Sequence, residues 1–150
     1  MAQKKCIYIP DNSNPLQEKF INYLMLKGKK NLARKIFKET LEILAKKDKF
    51  PEKIFEKAIN NTKPNLEVKA KRVGGAVYQI PIEVKPNRQI TLAFRWIINA
   101  SRSKKGAPMA KKLADELFAA SNNEGAAIKK KEDTIKMALA NKAFAHFARY

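Results

Sequence analysis

One cysteine and one histidine are all that the 150 residues offer to thiol, metal or imidazole chemistry. Cys6 has no second thiol to pair with, which excludes an internal disulfide and suits a reducing compartment. His146 and Cys6 together cannot supply a zinc ligand set of ordinary spacing, and no GxSxG motif or serine-triad order is present. A lone histidine near a helix end reads as a packing or phosphate-contact residue. The neighbouring acids Asp115/Glu116 and Glu132/Asp133 point to different sides of a helix. They read as solvated faces or helix-dipole partners, not as an acid–base pair. Gly74 and Gly75 are not a phosphate loop, because no GxxxxGK[ST] surrounds them and strands flank them. We therefore expect no catalytic residue, no metal and no cofactor. Apolar runs all stop short of the roughly 18 residues that a membrane span needs. Met1–Pro10 has neither a secretory core nor an arginine-rich amphipathic transit pattern.

Acidic residues are also scarce, 14 against 32 lysines and arginines, for a formal net charge of +18. The 45% hydrophobic content is that of a folded protein, so a folded body carries this charge and not a basic tail. The length fits a single domain over residues 1–150. Self-repulsion on this scale is relieved by an anionic partner, and nucleic acid is the expected one. An acidic membrane is the lesser reading, because the broad apolar helix faces are better used in a core. Lysine outnumbers arginine 26 to 6, although arginine is the better fork for phosphate. Lys, Asn and Ile share AT-rich codons, which points to an AT-rich genome.

The five glycines, at 28, 74, 75, 106 and 125, fall where hydrophobic periodicity breaks and punctuate the chain. A first helix is capped by Asn14, opened by Pro15, and carries Leu16, Phe20, Tyr23 and Leu24 on one stripe up to Gly28. A second runs from about Leu32 to Lys47 and a third opens at Pro51, both with apolar residues at helical spacing. Between Leu66 and Lys85, alternation around Gly74–Gly75 predicts a β-hairpin. Pro81 cannot donate to a ladder, so the second arm is an edge and the pair an isolated, projecting ribbon. A fourth helix runs from Asn87 to about Arg102, and a fifth opens at Pro108. A sixth carries Ile135, Ala138, Leu139 and Lys142 on one face. The expected fold is mainly α: six helices with one protruding two-stranded antiparallel hairpin, preceded by an extended arm over residues 1–13.

The cations are not scattered. Arg88, Arg95 and Arg102 recur every seven residues, and at about 100° per residue they form one stripe, with Thr91 and Asn99 in the same arc. Ile90, Phe94 and Ile97 lie opposite and Trp96 sits at the border, placed to stack on a base or to serve as an ordinary core residue. Lys129, Lys130 and Lys131 enter the sixth helix, while Lys104, Lys105, Lys111 and Lys112 surround the start of the fifth. Cations at helix N-termini oppose the dipole, whereas phosphate would be drawn by both the lysines and the free N–H groups. In the hairpin, Lys69 and Lys71 alternate with Val68 and Ala70, so pleating sends the lysines to one face. Arg72 adds charge to the same arm. The apolar second arm is expected to pack back or steady the ribbon.

Several long stretches resemble the small-subunit ribosomal protein seven family in its bacterial and organellar form. They are EVKAKRVGGAVYQIPIEV, the following TLAFRWI, and KKKED leading into NKAFAHFARY. The resemblance runs from about Asn14 to Tyr150. It implies a helical domain with a protruding hairpin that binds the 3′ major (head) domain of small-subunit ribosomal RNA early and nucleates the head. It also implies a place near the exit-site transfer RNA and messenger RNA path, beside other head and platform proteins. By motif, the RNA-facing candidates are Lys29, Lys30, Lys69, Lys71, Arg72, Arg88, Arg95, Trp96, Arg102 and Lys129–Lys131. Lys104, Lys105, Lys111, Lys112, Lys142 and Arg149 join them, and Gly74, Gly75, Ala76, Val77 and Tyr78 form the exit-site tip. An alternative role is a free RNA-binding translational regulator. MAQKKCIYIP is less arginine-rich than the family's usual extension. The short tail, the Lys/Asn/Ile bias and the absence of a presequence point to the mitochondrial matrix, with bacterial cytoplasm or plastid stroma as alternatives.

Overall fold

A computed structural model describes residues 14–149, without the side chains of Val73 and residues 147–149. The expected arm over 1–13, with Cys6, lies outside the described residues. The elements follow in the order α1 (Pro15–Leu24), α2 (Lys30–Ala45), α3 (Pro51–Thr62), β1 (Leu66–Val73), β2 (Ala76–Glu83), α4 (Pro86–Ser103), α5 (Met109–Ser121) and α6 (Ala126–Ala140). A terminal 3₁₀ segment (Lys142–Arg149) closes the described chain. The mainly α class with one two-stranded antiparallel hairpin is thus the observed one.

Local chemistry explains the helix starts. The Leu16 N–H donates to Asn14 Oδ1 at 3.0 Å, and Pro15, Pro51 and Pro86 sit at first helical positions, where a missing N–H costs nothing. The end of α1 differs from the expectation. The helix stops at Leu24, where its apolar stripe ends, and Met25 turns to extended backbone. Lys27 and Gly28 then take φ of 51° and 73°, a left-handed pair that reverses the chain into α2. Lys27 and Lys29 therefore lie in the turn and Lys30 opens α2; none of them sits in the last turn of α1.

Four phenylalanines bind the first four helices together. Phe20 of α1 has its ring centroid 5.6 Å from Phe37, 5.2 Å from Phe55 and 5.1 Å from Phe94, and Phe37 lies 5.3 Å from Phe55. Steep interplanar angles put ring edges against ring faces, the favourable quadrupole arrangement. Helix α5 runs through the middle of the core, with Leu113, Ala114, Leu117 and Ala120 fully buried against α2, α3, α4 and α6. Buried hydroxyls are satisfied within the helices. Thr40 Oγ1, for example, donates to the Ile36 carbonyl at 2.7 Å.

The hairpin pairs Leu66 with Glu83 through Val73 with Ala76, closed by Gly74 and Gly75 at φ 58° and 88°. Positive φ at both central residues is the demand of a two-residue turn that matches strand twist. Its register shows where the second arm packs back. Lys69 and Lys71 pair with Ile80 and Tyr78, so they share a face with them, and Ile80 is buried toward α6 and the terminal segment. Arg72 pairs with Val77 on the opposite face. The base of the ribbon is held by the body, while its outer part is largely exposed, with Gly74–Val77 an unbroken exposed run at the tip.

Helix α6 carries a second correction. It ends at Ala140, so Lys142 falls in the 3₁₀ segment, and Leu139 is 58% exposed. The inward face is Ala127, Ile128, Thr134 and Ala138, with Ile135 half-buried.

Candidate nucleic-acid interface

The long helix α4 presents the arginine stripe as its spacing requires. Leu92, Ala93, Phe94, Ile97 and Ile98 are buried, while Arg88, Arg95, Asn99 and Arg102 are exposed. Each arginine also takes one local partner. Arg88 Nε donates to Glu67 Oε2 of β1 at 3.3 Å, and Arg102 Nη2 donates to the Leu24 carbonyl at the end of α1 at 3.1 Å. The Arg95 guanidinium lies 5.9 Å from the Tyr23 ring centre. Tyr23 is itself fixed by its hydroxyl, 3.3 Å from Thr91 Oγ1. A guanidinium carries five N–H donors, so one anchoring bond leaves most of each fork facing solvent. The stripe is a held surface, with arginines positioned by α1, β1 and the Tyr23 ring.

The lysine clusters divide into anchors and free charges. Lys30 lies 3.2 Å from Glu18 Oε2, and Arg34 reaches the same carboxylate at 3.1 Å. Glu18 is buried. Burial alone would raise its carboxyl pKa, but hydrogen bonds and charge from Arg34 and Lys30 outweigh it and hold the group below its ordinary value. Lys131 donates to the Asn61 carbonyl at 2.6 Å, and Asn61 in turn donates to the carbonyls of Ala120 and Ser121, each at 3.0 Å. Lys131 therefore ties α6 to the end of α3, and Asn61 ties α3 to the end of α5. Lys29, Lys69, Lys105, Lys111, Lys112, Lys129, Lys130 and Lys142 have no protein partner among the described residues. Arg72 Nε reaches the Gly75 carbonyl across the turn at 3.4 Å, and Lys71 is half-buried. The Arg149 side chain lies outside the described residues.

Glu116 corrects the reading of the Asp115/Glu116 pair. Asp115 is a surface residue paired with Lys47 at 2.8 Å, but Glu116 is fully buried. Its Oε1 accepts the Ala127 N–H at 2.9 Å, in the first turn of α6, and its Oε2 lies 2.5 Å from Lys104 Nζ. Glu116 is thus a dipole partner, though of α6 and not of its own helix. A Cβ at Gly125 would come 2.9 Å from Glu116 Oε1 and 3.2 Å from Ala119 Cβ, and Gly125 has φ of 96°. The start of α6 is closed by a carboxylate. One of the N–H groups expected to be free for phosphate there, that of Ala127, is therefore taken by the protein itself, and Lys104 serves the inside of the fold. A signal was present in the sequence: Glu116 lies on the Leu113, Leu117, Ala120 stripe.

At the ribbon, Tyr78 is half-buried and its ring centre lies 5.2 Å from that of Phe144 in the 3₁₀ segment. Val77 beside it is 64% exposed. His146 Nδ1 lies 2.9 Å from the Ala143 carbonyl, an exposed local contact. Among the described residues no group of three or more His, Cys, Asp or Glu could hold a metal ion, and no helix is long and apolar enough to cross a membrane.

A basic helical body with a two-stranded ribbon, carrying the motifs quoted above, meets its match in a sequence model described as ribosomal protein S7p/S5e, over residues 1–142. The chain belongs to that family. The S7p/S5e family comprises structural ribosomal proteins, not enzymes. A relative from Solidesulfovibrio magneticus, named small ribosomal subunit protein uS7, is 55% identical over 98% of this chain and 95% of its own. Proteins of the same name from Rhodopirellula baltica and a Nitratiruptor species are 54% and 57% identical, covering 98% and 86% of this chain and 96% and 84% of their own. The role of the chain is accordingly a structural one in the small ribosomal subunit. These relatives are bacterial, so the expected mitochondrial matrix gains no support and the bacterial alternative fits. The Lys/Asn/Ile bias reports base composition, which does not distinguish an organelle from an AT-rich bacterium.

Proposed function

We propose that the chain binds the 3′ major (head) domain of small-subunit ribosomal RNA early in assembly and nucleates the head in a bacterial cytoplasm. The tip Gly74–Tyr78 would lie near the exit-site transfer RNA and messenger RNA path, with other head and platform proteins as neighbours. The observation that carries this reading is the coexistence of an anchored arginine stripe on α4 with lysines at Lys105, Lys111, Lys112, Lys129 and Lys130 that serve no internal partner. A fold that keeps such cations unpaired at a net +18 meets its counter-charge outside itself. A phosphate backbone offers that charge over an extended surface.

Ordered reconstitution tests the proposal. With isolated 3′ major domain RNA, the chain should bind alone, and leaving it out should keep later head proteins from joining. Equal assembly of the head without it would overturn the nucleating role.

A further inference from the structure

Between α4 and the start of α6 runs a groove of about 270 Å³, lined by Trp96, Asn99, Ala100, Ser103, Ala126 and Lys130. On α4, positions 96, 99, 100 and 103 stack along one side at helical spacing; on α6, positions 126 and 130 face them one turn apart. The indole is half-buried and packs against the core on one side, so its position is fixed while part of the ring opens to the groove. Ala100 and Ala126 are small enough to leave room beside it. The Trp96 N–H, the Asn99 amide and the Lys130 ammonium have no partner among the described residues. Ser103 spends its proton on the Ala100 carbonyl at 2.8 Å, which leaves its oxygen as an acceptor.

Part of the Trp96 ring is left open beside polar side chains that keep donors or acceptors unused. Here a rigid aromatic edge, an amide with both donor and acceptor, a hydroxyl acceptor and a cation converge on one small cleft. We propose that this groove is a nucleotide pocket that takes one unpaired base of RNA. The base stacks on the indole, Asn99 and Ser103 meet its edge, and Lys130 holds the adjoining phosphate. The inference rests on the RNA-binding reading above and adds that the RNA offers an unpaired base there, because drawing a base out of a duplex costs its pairing and stacking. The phosphate is held by the Lys130 side chain and not by the start of α6, since Glu116 already takes the Ala127 N–H.

Trp96 is the only tryptophan in the chain, so its emission reports this groove alone. The full chain is titrated with a short single-stranded oligoadenylate and with a fully paired RNA duplex, both dye-labelled so that anisotropy follows binding anywhere on the protein. The single strand should quench the indole, and the duplex should bind without quenching. Asn99→Ala and Lys130→Ala, both at exposed positions, should weaken the quenching transition. Trp96→Leu should lower single-strand affinity by roughly five- to a hundredfold while Trp96→Phe retains most of it. Circular dichroism confirms that each variant is folded. Equal quenching by duplex, or binding of the single strand with no quenching, would overturn the pocket and leave the RNA-binding reading standing. Loss of all anisotropy change for both RNAs would overturn that reading as well.

Discussion

Glu18 and Arg95 are two side chains for which holding the fold and meeting RNA are expected to separate. The Glu18 carboxylate is buried between Lys30 and Arg34, and its pKa in the folded chain lies below the ordinary 4.5. A lowered folded pKa contributes stability that is present above the unfolded value. That stability is lost as pH falls through the folded one. We expect Glu18→Gln to destabilise the chain at neutral pH, with the gap to the parent narrowing on acidification below about 4.5. Denaturant titrations at neutral and acid pH measure it, and a constant gap would show that the ion pair contributes nothing. Arg95 should behave oppositely. Its exposed stack on Tyr23 stabilises the fold by about 0.5–1 kcal/mol at most. Arg95→Ala should weaken ribosomal RNA binding by about 1–3 kcal/mol, since its donors face solvent. A melting loss as large as the binding loss would make it a structural residue.

At the scale of elements, the ribbon and the C-terminal segment depend on one another more than the hairpin pattern implies. Ile80 and Val84 anchor the base of the ribbon, and Tyr78 meets Phe144 further out. Replacing Ala70–Gln79 with a short Gly-Ser turn keeps both anchors. The helical circular dichroism signal should therefore be largely retained. Amide exchange at Lys142–His146 should rise, because the segment loses the Tyr78 ring. Unfolding of the helices would mean that the outer ribbon belongs to the core, and unchanged exchange would mean that the ring contact does not hold the segment. Much of this architecture was legible because helix faces and strand alternation are local signals: Pro15, Pro51 and Gly74–Gly75 each mark a backbone demand visible in one residue or two. The α4 stripe was legible for the same reason, as seven-residue spacing needs no tertiary knowledge. What was not legible depends on partners distant in sequence. Glu116 closes α6 from α5, Lys131 answers the Asn61 carbonyl, Lys104 turns inward, and the ribbon's lysines share the face of Ile80. Residue type and local pattern do not distinguish a lysine that neutralises a buried carboxylate from one that awaits phosphate.

For the whole molecule, a folded body with net charge +18 should use many of its cations at once on one RNA. A continuous core of α1–α6 holds those cations in fixed relation, so they act together instead of as independent weak contacts. The direct test is the salt dependence of binding to the 3′ major domain of small-subunit ribosomal RNA. Each phosphate neutralised releases counterions and adds to the slope of log affinity against log salt. The slope should have a magnitude of about five or more, with a clear preference over unrelated RNA of the same length. A slope of magnitude near one, or equal affinity for any RNA of that length, would contradict this.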